Sequence, residues 1–312
     1  SDLAGAFAAA LLSRQFRVRG APPFEILKGF VGGALMGIGA ALAFGCNIGG
    51  FFSAISALSM SGLAMMIGLL IGAYIGLRLL ILEVKYLNLP SSGNQSKVVS
   101  GPSDRWIKLQ PIVGGLVLLA GISLTFVYDS FDYPTRGVFL LFGVVFGLVM
   151  QRSRFCFVRA FREPFLTGVG GMTKAVILAV IISVIGFSIL KWTDLRSWDT
   201  FVRPGFWLGG LMGGIVFGVG MSLSGGCASG CLWRAGEGQV KLWIAIIAFA
   251  FSRAIFVGWL EESGWMMKLG ESVFLPDYVG WKAGIVIVIT IMLLWYLIVV
   301  WNEAKRKLVV NF

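Results

Sequence analysis

The chain has 312 residues, of which 57% are hydrophobic and 13% are charged, and its mean hydropathy is +0.87. Soluble domains carry about a quarter charged residues, so the composition excludes a typical soluble protein and indicates one that lies in the lipid bilayer. The formal net charge is +11, but the basic residues follow the loops between apolar segments, which argues against nucleic-acid binding.

Apolar segments of membrane-spanning length recur along the chain and predict an all-α polytopic membrane protein with about nine transmembrane helices. In chain order, we predict partial or complete spans near 1–13, 28–45, 60–82, 111–128, 136–151, 168–190, 207–225, 241–260 and 280–301. The first is too short to cross about 30 Å of hydrocarbon, and no basic region precedes it as in a signal peptide. We therefore expect the first half of the membrane domain to be incomplete at its N-terminus.

Two segments of the chain match each other at a constant offset of 181 residues. The first, GIGAALAFGCNIG, runs from Gly37 to Gly49, and the second, GVGMSLSGGCASG, runs from Gly218 to Gly230. The offset pairs Gly45, Cys46 and Gly49 with Gly226, Cys227 and Gly230, and it also pairs Gly29, Gly32 and Gly33 with Gly210, Gly213 and Gly214. This pattern predicts an internal duplication within one integral membrane domain, with a first half at 1–110 and a second half at 111–312.

Each copy places its cysteine at a break in an apolar segment. The stretches that follow, 46–58 and 226–236, are too short to cross a bilayer. Irregular backbone at membrane depth persists only where it is buried in protein or lines a wet cavity. We therefore expect both stretches to be re-entrant half-helices at the core of the protein.

Basic residues are divided unequally between alternate loops. One set of loops holds 17: Arg14, Arg17, Arg19, Lys28, Lys85, Lys97, Arg105, Lys108, Arg152, Arg154, Arg159, Arg162, Arg234, Lys241, Lys305, Arg306 and Lys307. The opposite set holds six: Arg136, Lys191, Arg196, Arg203, Lys268 and Lys282. The positive-inside rule then predicts a cytoplasmic C-terminus. The span into Cys46 would run outward and the span into Cys227 inward, which makes the repeat an inverted one, as in many secondary transporters.

A third short segment, Arg152 to Phe165, follows a span and contains four arginines, four phenylalanines and Cys156. One interpretation is a cytoplasmic amphipathic turn whose arginines meet lipid headgroups. Another is a basic vestibule in which residues such as Arg154 attract an anion and present Cys156 to it. The two interpretations are compatible.

The four cysteines have different expected roles. We expect Cys231 to act as a small hydrophobic residue in a helix interface. The duplication favours a functional thiol for Cys46 and Cys227. A structural disulfide is disfavoured at membrane depth. The chain has no histidine, so zinc sites and triads of the usual type are disfavoured as well. Glu237 could pair with Arg234 or gate the inner mouth.

Three sequence blocks together resemble the YeeE/YedE family of bacterial inner-membrane proteins. They are L-x-x-G-C-x-x-G in both copies, RSRFCF-x-x-AFR from Arg152 to Arg162, and RA-x-EGQ from Arg234 to Gln239. The resemblance extends from about Leu3 to Trp301. It implies a transporter of inverted halves without a cofactor. In the YeeE-like branch it implies uptake of thiosulfate, which pathway cysteines pass on through S–H···S hydrogen bonds.

Cys46, Cys156 and Cys227 occupy the family's cysteine blocks, and Cys231 does not. Gly45, Gly49, Gly226, Gly230, Arg154, Arg234 and Glu237 are the expected supporting residues. The blocks at Arg152 to Pro164 and at Arg234 to Gln239 look closest to the YedE-like branch, which is associated with selenium metabolism. The resemblance also implies delivery of the anion to a soluble cytoplasmic sulfur-carrier protein.

Three functional readings follow. The first is a permease for a small sulfur or selenium anion. The second is a membrane subunit of a larger sulfur-metabolising or respiratory complex. The third is a membrane thiol oxidoreductase, which would need a reversible disulfide between Cys227 and Cys231. Neither the substrate among such anions nor the coupling ion is indicated by a particular residue.

Overall fold

The computed structural model describes residues 1–87, 104–131, 134–193, 195, 197 and 199–310. Its long helices are α2 (Pro23–Leu42), α4 (Met60–Leu87), α5 (Asp104–Ser130), α6 (Pro134–Ser153), α8 (Gly171–Trp192), α9 (Leu208–Ser224), α11 (Val240–Glu262) and α13 (Trp281–Lys305). Its short helices are α1 (Asp2–Leu12), a π-helix (Asn47–Phe52) continued by α3 (Ser53–Ser56), α7 (Phe157–Leu166), α10 (Ala228–Gly236), a 3₁₀ helix (Trp265–Leu269) and α12 (Leu275–Val279).

Eight helical segments of the described chain are long and apolar enough to cross a membrane. They coincide with the last eight of the nine predicted spans, which confirms a multi-pass α-helical membrane protein. The first predicted span instead forms α1, which has 11 residues. At 1.5 Å per residue α1 is about 16 Å long, which agrees with the expectation that this first segment is too short to cross the bilayer.

The chain divides into two compact units, each assembled from separate stretches of sequence. The first comprises Ser1–Phe30, Ser91–Cys156 and Ser229–Ile246, and the second comprises Val31–Pro90, Phe157–Ala228 and Ile247–Phe312. The predicted halves of the duplication, 1–110 and 111–312, divide the sequence in a different way. That division stays a prediction.

In the first unit, α1 is buried against α5 and α6. Ala6, Ala8 and Ala10 are fully buried, and Gly147 of α6 lies directly against the backbone of Asp2. Small residues on both helices allow this close approach. The short apolar helix therefore gains its stability from neighbouring helices.

In the second unit, α9 lies against α2 through glycines on both helices. A Cβ atom built on Gly32 would stand 2.7 Å from the carbonyl oxygen of Gly220, and one on Gly39 would stand 2.6 Å from that of Gly213. At the offset of 181, Gly213 is the counterpart of Gly32 and Gly220 is the counterpart of Gly39. Gly32 therefore contacts the counterpart of Gly39, and Gly39 contacts the counterpart of Gly32.

Another face of α9 packs against α4. Gly68 and Gly72 of α4 meet Gly214 and Gly218 of α9, and a Cβ on Gly218 would stand 2.9 Å from the Cα atom of Gly72. Glycines four residues apart form a groove along one face of a helix, which lets two backbones touch. Helix α9 is thus in glycine-mediated contact with α2 and with α4.

Aromatic side chains join the short helices of the second unit to α13. The ring of Phe51 makes edge contacts with Phe157, Phe161 and Trp295, at centroid distances of 6.1, 5.2 and 6.4 Å. Such pairs stabilise a core beyond the area that they bury. Most of the segment from Arg152 to Phe165 forms α7, in which Phe157 and Phe161 are buried; its interpretation as an amphipathic turn or a basic vestibule stays a prediction.

We predict that Gly39→Ala destabilises the protein and that Gly186→Ala does not. The added methyl group at Gly39 would stand 2.5 Å from the backbone nitrogen of Phe217, whereas no heavy atom lies within 4 Å at Gly186 of α8. Overpacking of this kind costs about 1–3 kcal/mol, which corresponds to a Tm lower by roughly 5 °C. Thermal unfolding of the two purified variants in detergent measures the difference, and equal Tm values would contradict the proposed helix contact.

Candidate functional site

Cys46 lies in a turn between a long helix and a short one. Helix α2 ends at Leu42, Phe44 has a left-handed backbone with φ of 54°, and Cys46 is the extended residue directly before the π-helix. The π-helix continues into α3, so that Asn47–Ser56 forms one short helical segment. Its N-terminal N–H groups have no partner within the helix, and they lie directly after the thiol-bearing residue.

Cys227 lies in a turn of the same kind. Helix α9 ends at Ser224, Gly225 is left-handed with φ of 80°, and Cys227 directly precedes α10. Ser224 Oγ donates a hydrogen bond of 2.8 Å to the carbonyl oxygen of Gly226 and holds the turn. Phe44 and Gly225 correspond at the offset of 181, so both copies have a left-handed residue two positions before the cysteine.

The glycines that flank Cys46 have different structural roles. A Cβ on Gly45 would stand 2.5 Å from the backbone nitrogen of Gly50, so a glycine is required there. A Cβ on Gly49 would meet only the guanidinium of Arg203, at 3.8 Å. Gly226 and Gly230, the counterparts in the second copy, are buried. Gly45 therefore shapes the turn, and Gly49 leaves open space above it.

The two duplicated thiols differ in exposure. Cys46 is partly exposed, and Cys227 is fully buried. Next to Cys46, the buried side chain of Asn47 donates from Nδ2 to Met221 Sδ at 3.6 Å, and its Oδ1 has no hydrogen-bond partner in the described chain. The surroundings of Cys46 thus combine a thiol, an amide and free helix N–H groups, which can each make a weak contact with a small anion.

Cys156 belongs to the first unit, where it lies in the connection between α6 and α7 and is fully buried. The adjacent carbonyl of Phe155 accepts a hydrogen bond of 2.9 Å from Trp233 Nε1 of α10. Cys231 of α10 is also buried and lies close to Cys156. The sequence did not indicate this neighbourhood, since the two residues are far apart along the chain.

The remaining polar candidates also lie in the first unit. Glu237 is buried, and its Oε1 accepts a hydrogen bond of 3.1 Å from Gln151 Nε2, which also donates to Gln15 Oε1 at 3.2 Å. The guanidinium of Arg234 lies 5.1 Å from the ring centroid of Trp233. The predicted pairing of Glu237 with Arg234 is not among the ion pairs of the described residues. Arg154 is exposed and has φ of 50°.

Residues at and beside the backbone bridge between Arg19 and Gln239 line two cavities. One, of about 430 Å³, is lined almost wholly by apolar groups such as Phe7 and Trp243 and cannot stabilise an anion. The other, of about 190 Å³, is lined by Arg19 and by Lys241, which forms an ion pair with Glu25 at 2.6 Å. Glu25 offsets one of these positive charges, but no cysteine lines either cavity, so the cysteine turns remain the better candidates for contact with a soft anion.

The four cysteines are free thiols, and no group of three metal-ligating side chains is found in the part of the chain that the structure describes. Of the predicted residues, Cys46, Cys227, Gly45, Gly49 and Gly226 belong to the second unit. Cys156, Gly230, Arg154, Arg234 and Glu237 belong to the first. Sequence reasoning missed Asn47, Gln151 and Arg203 as site residues, since only the fold brings them to their partners.

Comparison with known proteins is consistent with this arrangement of apolar helices and thiols. The chain is 32% identical to the probable transporter YedE of Escherichia coli over 245 residues, which is 77% of this chain and 59% of that protein. It is 37% identical to the thiosulfate transporter TsuA of Spirochaeta thermophila over 130 residues, which is 40% of this chain and 39% of that protein. No solved structure matches the chain significantly.

The chain spans about three fifths of the length of the YedE relatives that it matches. A model of the family described as "Sulphur transport" matches residues 3–75 and 152–311, which include all four cysteines. This match confirms the resemblance that the cysteine blocks indicated: the chain belongs to the sulphur transport family of membrane proteins.

Proposed function

We propose that this protein is a bacterial inner-membrane permease for a small sulfur-containing anion such as thiosulfate, which moves along Cys46, Cys156 and Cys227. The observation that carries the proposal is the recurrence, in both copies, of a thiol directly before the N-terminus of a short helix. Membership of the sulphur transport family and the likeness to thiosulfate transporters of two bacteria support it.

The chemistry of the substrate suits such a site. Thiosulfate has a soft terminal sulfur atom and hard oxygen atoms. A thiol is a weak donor and a soft acceptor for the sulfur, while helix N–H groups and the positive end of the helix dipole can meet the oxygens. Transport requires sites that replace the hydration of the anion and still release it, and several weak sites in series meet that requirement.

The membrane topology that we propose follows from an inverted repeat. The reciprocal contacts of Gly32 with Gly220 and of Gly39 with Gly213 are those expected around a two-fold axis, and the excess of basic residues in alternate loops favours a cytoplasmic C-terminus. The stretches 46–58 and 226–236 would then enter the membrane from opposite sides as re-entrant segments. Arg154, Arg234 and Glu237 would face the inner mouth, where a soluble sulfur carrier would collect the anion.

We predict that Cys46→Ala and Cys227→Ala each abolish uptake of radiolabelled thiosulfate into proteoliposomes and leave the protein folded. The substitution removes the thiol and changes the volume of the side chain little, so the helices keep their contacts. Monodisperse elution and an unchanged Tm verify folding. Normal uptake by both variants would show that the anion does not depend on these thiols.

The variant Cys231→Ser separates a permease from a thiol oxidoreductase. An oxidoreductase that cycles a disulfide between Cys227 and Cys231 needs both sulfur atoms, whereas a permease that uses Cys46, Cys156 and Cys227 does not need Cys231. We predict that this variant retains at least half of the uptake rate of the unaltered protein. Loss of uptake together with a reducible Cys227–Cys231 disulfide in the unaltered protein would contradict the permease assignment.

A selenium-containing anion remains the alternative substrate within the same proposal. Thiosulfate and its selenium analogues have similar size and charge, and both have a soft terminal atom that a thiol can meet. Competition by unlabelled selenium analogues in the same uptake assay ranks the two classes of substrate.

A further inference from the structure

The turn at Cys46 lies beside an arginine that comes from a distant part of the sequence. Arg203 precedes α9 and is 154 positions after Gly49, yet its Nη2 lies 3.8 Å from the position that a Cβ on Gly49 would occupy. Gly49 lies in the first turn of the helix that follows Cys46. The guanidinium is therefore located over the open side of this helix N-terminus, and both residues belong to the second unit.

The backbone of Arg203 is held in place by residues that follow the same short helix. The backbone N–H of Arg203 donates to Ser59 Oγ at 3.3 Å, and Ser59 Oγ lies 2.8 Å from Ser61 Oγ. The Ser59 segment is itself fixed, since the N–H of Met60 donates to the carbonyl of Val273 at 3.1 Å. Arg203 thus projects from an anchored backbone rather than from a free loop.

The charge of Arg203 is not neutralised by a carboxylate in the described part of the chain. The ring of Phe201 lies 5.6 Å from the guanidinium carbon of Arg203, and the buried Nε of Arg203 has no hydrogen-bond partner among the described residues. A buried donor without a partner is costly, because it has lost its hydration without a replacement. An anion between Arg203 and Cys46 would accept hydrogen bonds from this guanidinium and reduce that cost.

The opposite end of the short helix has its own cation. Lys191 is buried and donates from Nζ to the carbonyl oxygen of Ala57 at 3.0 Å, directly after the last residue of α3. A cation at the C-terminus of a helix compensates the negative end of the dipole. The positive end at Asn47 has instead Arg203 close to its first turn, which concentrates positive potential where the thiol is partly exposed.

From these contacts we infer that Arg203 is the oxyanion receptor of the Cys46 turn. Its guanidinium binds the oxygen atoms of the sulfur anion, and the thiol of Cys46 meets the terminal sulfur atom. The inference rests on the proposed function, and it assigns the recognition of the charged oxygens to a residue outside the duplicated cysteine blocks. Because Arg203 belongs to the loop set opposite to the C-terminus, this receptor acts at the outer mouth.

The kinetic test compares Arg203→Gln, Arg203→Lys and the control Lys282→Gln in the proteoliposome uptake assay. Lys282 is an exposed basic residue of the same loop set and gives the same change in net charge. We expect Arg203→Gln to raise the KM for thiosulfate about tenfold, as for the loss of one charge-assisted hydrogen bond, with little change in the maximal rate. Arg203→Lys should recover part of the affinity, and Lys282→Gln should leave KM unchanged.

A second measurement tests the receptor without relying on transport. Methanethiosulfonate reagents that bear a sulfonate or a trimethylammonium group react with a thiol to form a mixed disulfide and release methanesulfinate. Their relative rates at Cys46, measured by peptide mass spectrometry on the folded full chain, report the local potential. We expect Arg203→Gln to lower the ratio of the rate of the anionic reagent to the rate of the cationic reagent about fivefold. Lys282→Gln should leave this ratio unchanged.

The variant Gly49→Ala separates the effect of the charge of Arg203 from the effect of the open space beside Gly49. Its methyl group would be in ordinary contact with Arg203, so the variant should fold, slow both reagents alike and raise KM with the rate ratio preserved. An unchanged rate ratio and an unchanged KM in Arg203→Gln would overturn the receptor while leaving the permease intact. Absence of thiosulfate uptake by the unaltered protein would count against the proposed function, and the labelling ratio would still decide whether Arg203 attracts anions to Cys46.

Discussion

The close approach of α9 to α2 and to α4 is the constraint on which the second unit depends. Glycines at both contacts bring the helix backbones together: a Cβ on Gly39, Gly213 or Gly218 would stand less than 3.0 Å from a neighbouring backbone atom. In a bilayer, helices gain little from the hydrophobic effect when they associate, so tight van der Waals packing of small residues becomes the main source of stability. The cysteines of this unit that we propose for transport lie directly after the ends of α2 and α9.

The same contacts bring the two thiol-bearing turns into one unit. Helices α2 and α9 are each followed by a left-handed residue, Phe44 or Gly225. A cysteine and a short helix then follow in both copies. A glycine-rich helix that ends at such a turn exposes the N–H groups of the next helix, and this is a weak anion site. Packing and backbone geometry therefore both depend on this glycine pattern, and the anion chemistry that we propose would depend on it as well.

Much of this architecture could be predicted from the sequence. Long apolar runs indicated eight of the helices, and the duplicated glycines indicated the breaks before Cys46 and Cys227, because both signals are local. The sequence indicated that α1 is too short to span, but not that it packs against α5 and α6, since an alanine-rich run has the same composition whether it contacts lipid or other helices. The neighbours Cys156 and Cys231, the bonds of Gln151 and the position of Arg203 over Gly49 could not be predicted. They depend on which helices pack together, and no spacing in the sequence encodes that choice.

The most direct test of the account is a structure of the purified protein determined in the presence of thiosulfate. We predict density for the anion with its terminal sulfur atom within about 4 Å of the sulfur of Cys46 or Cys227, and with its oxygen atoms toward the helix N–H groups. Loss of that density in Cys46→Ala or Cys227→Ala would support the thiol pathway. An anion bound only at sites away from every cysteine would contradict it.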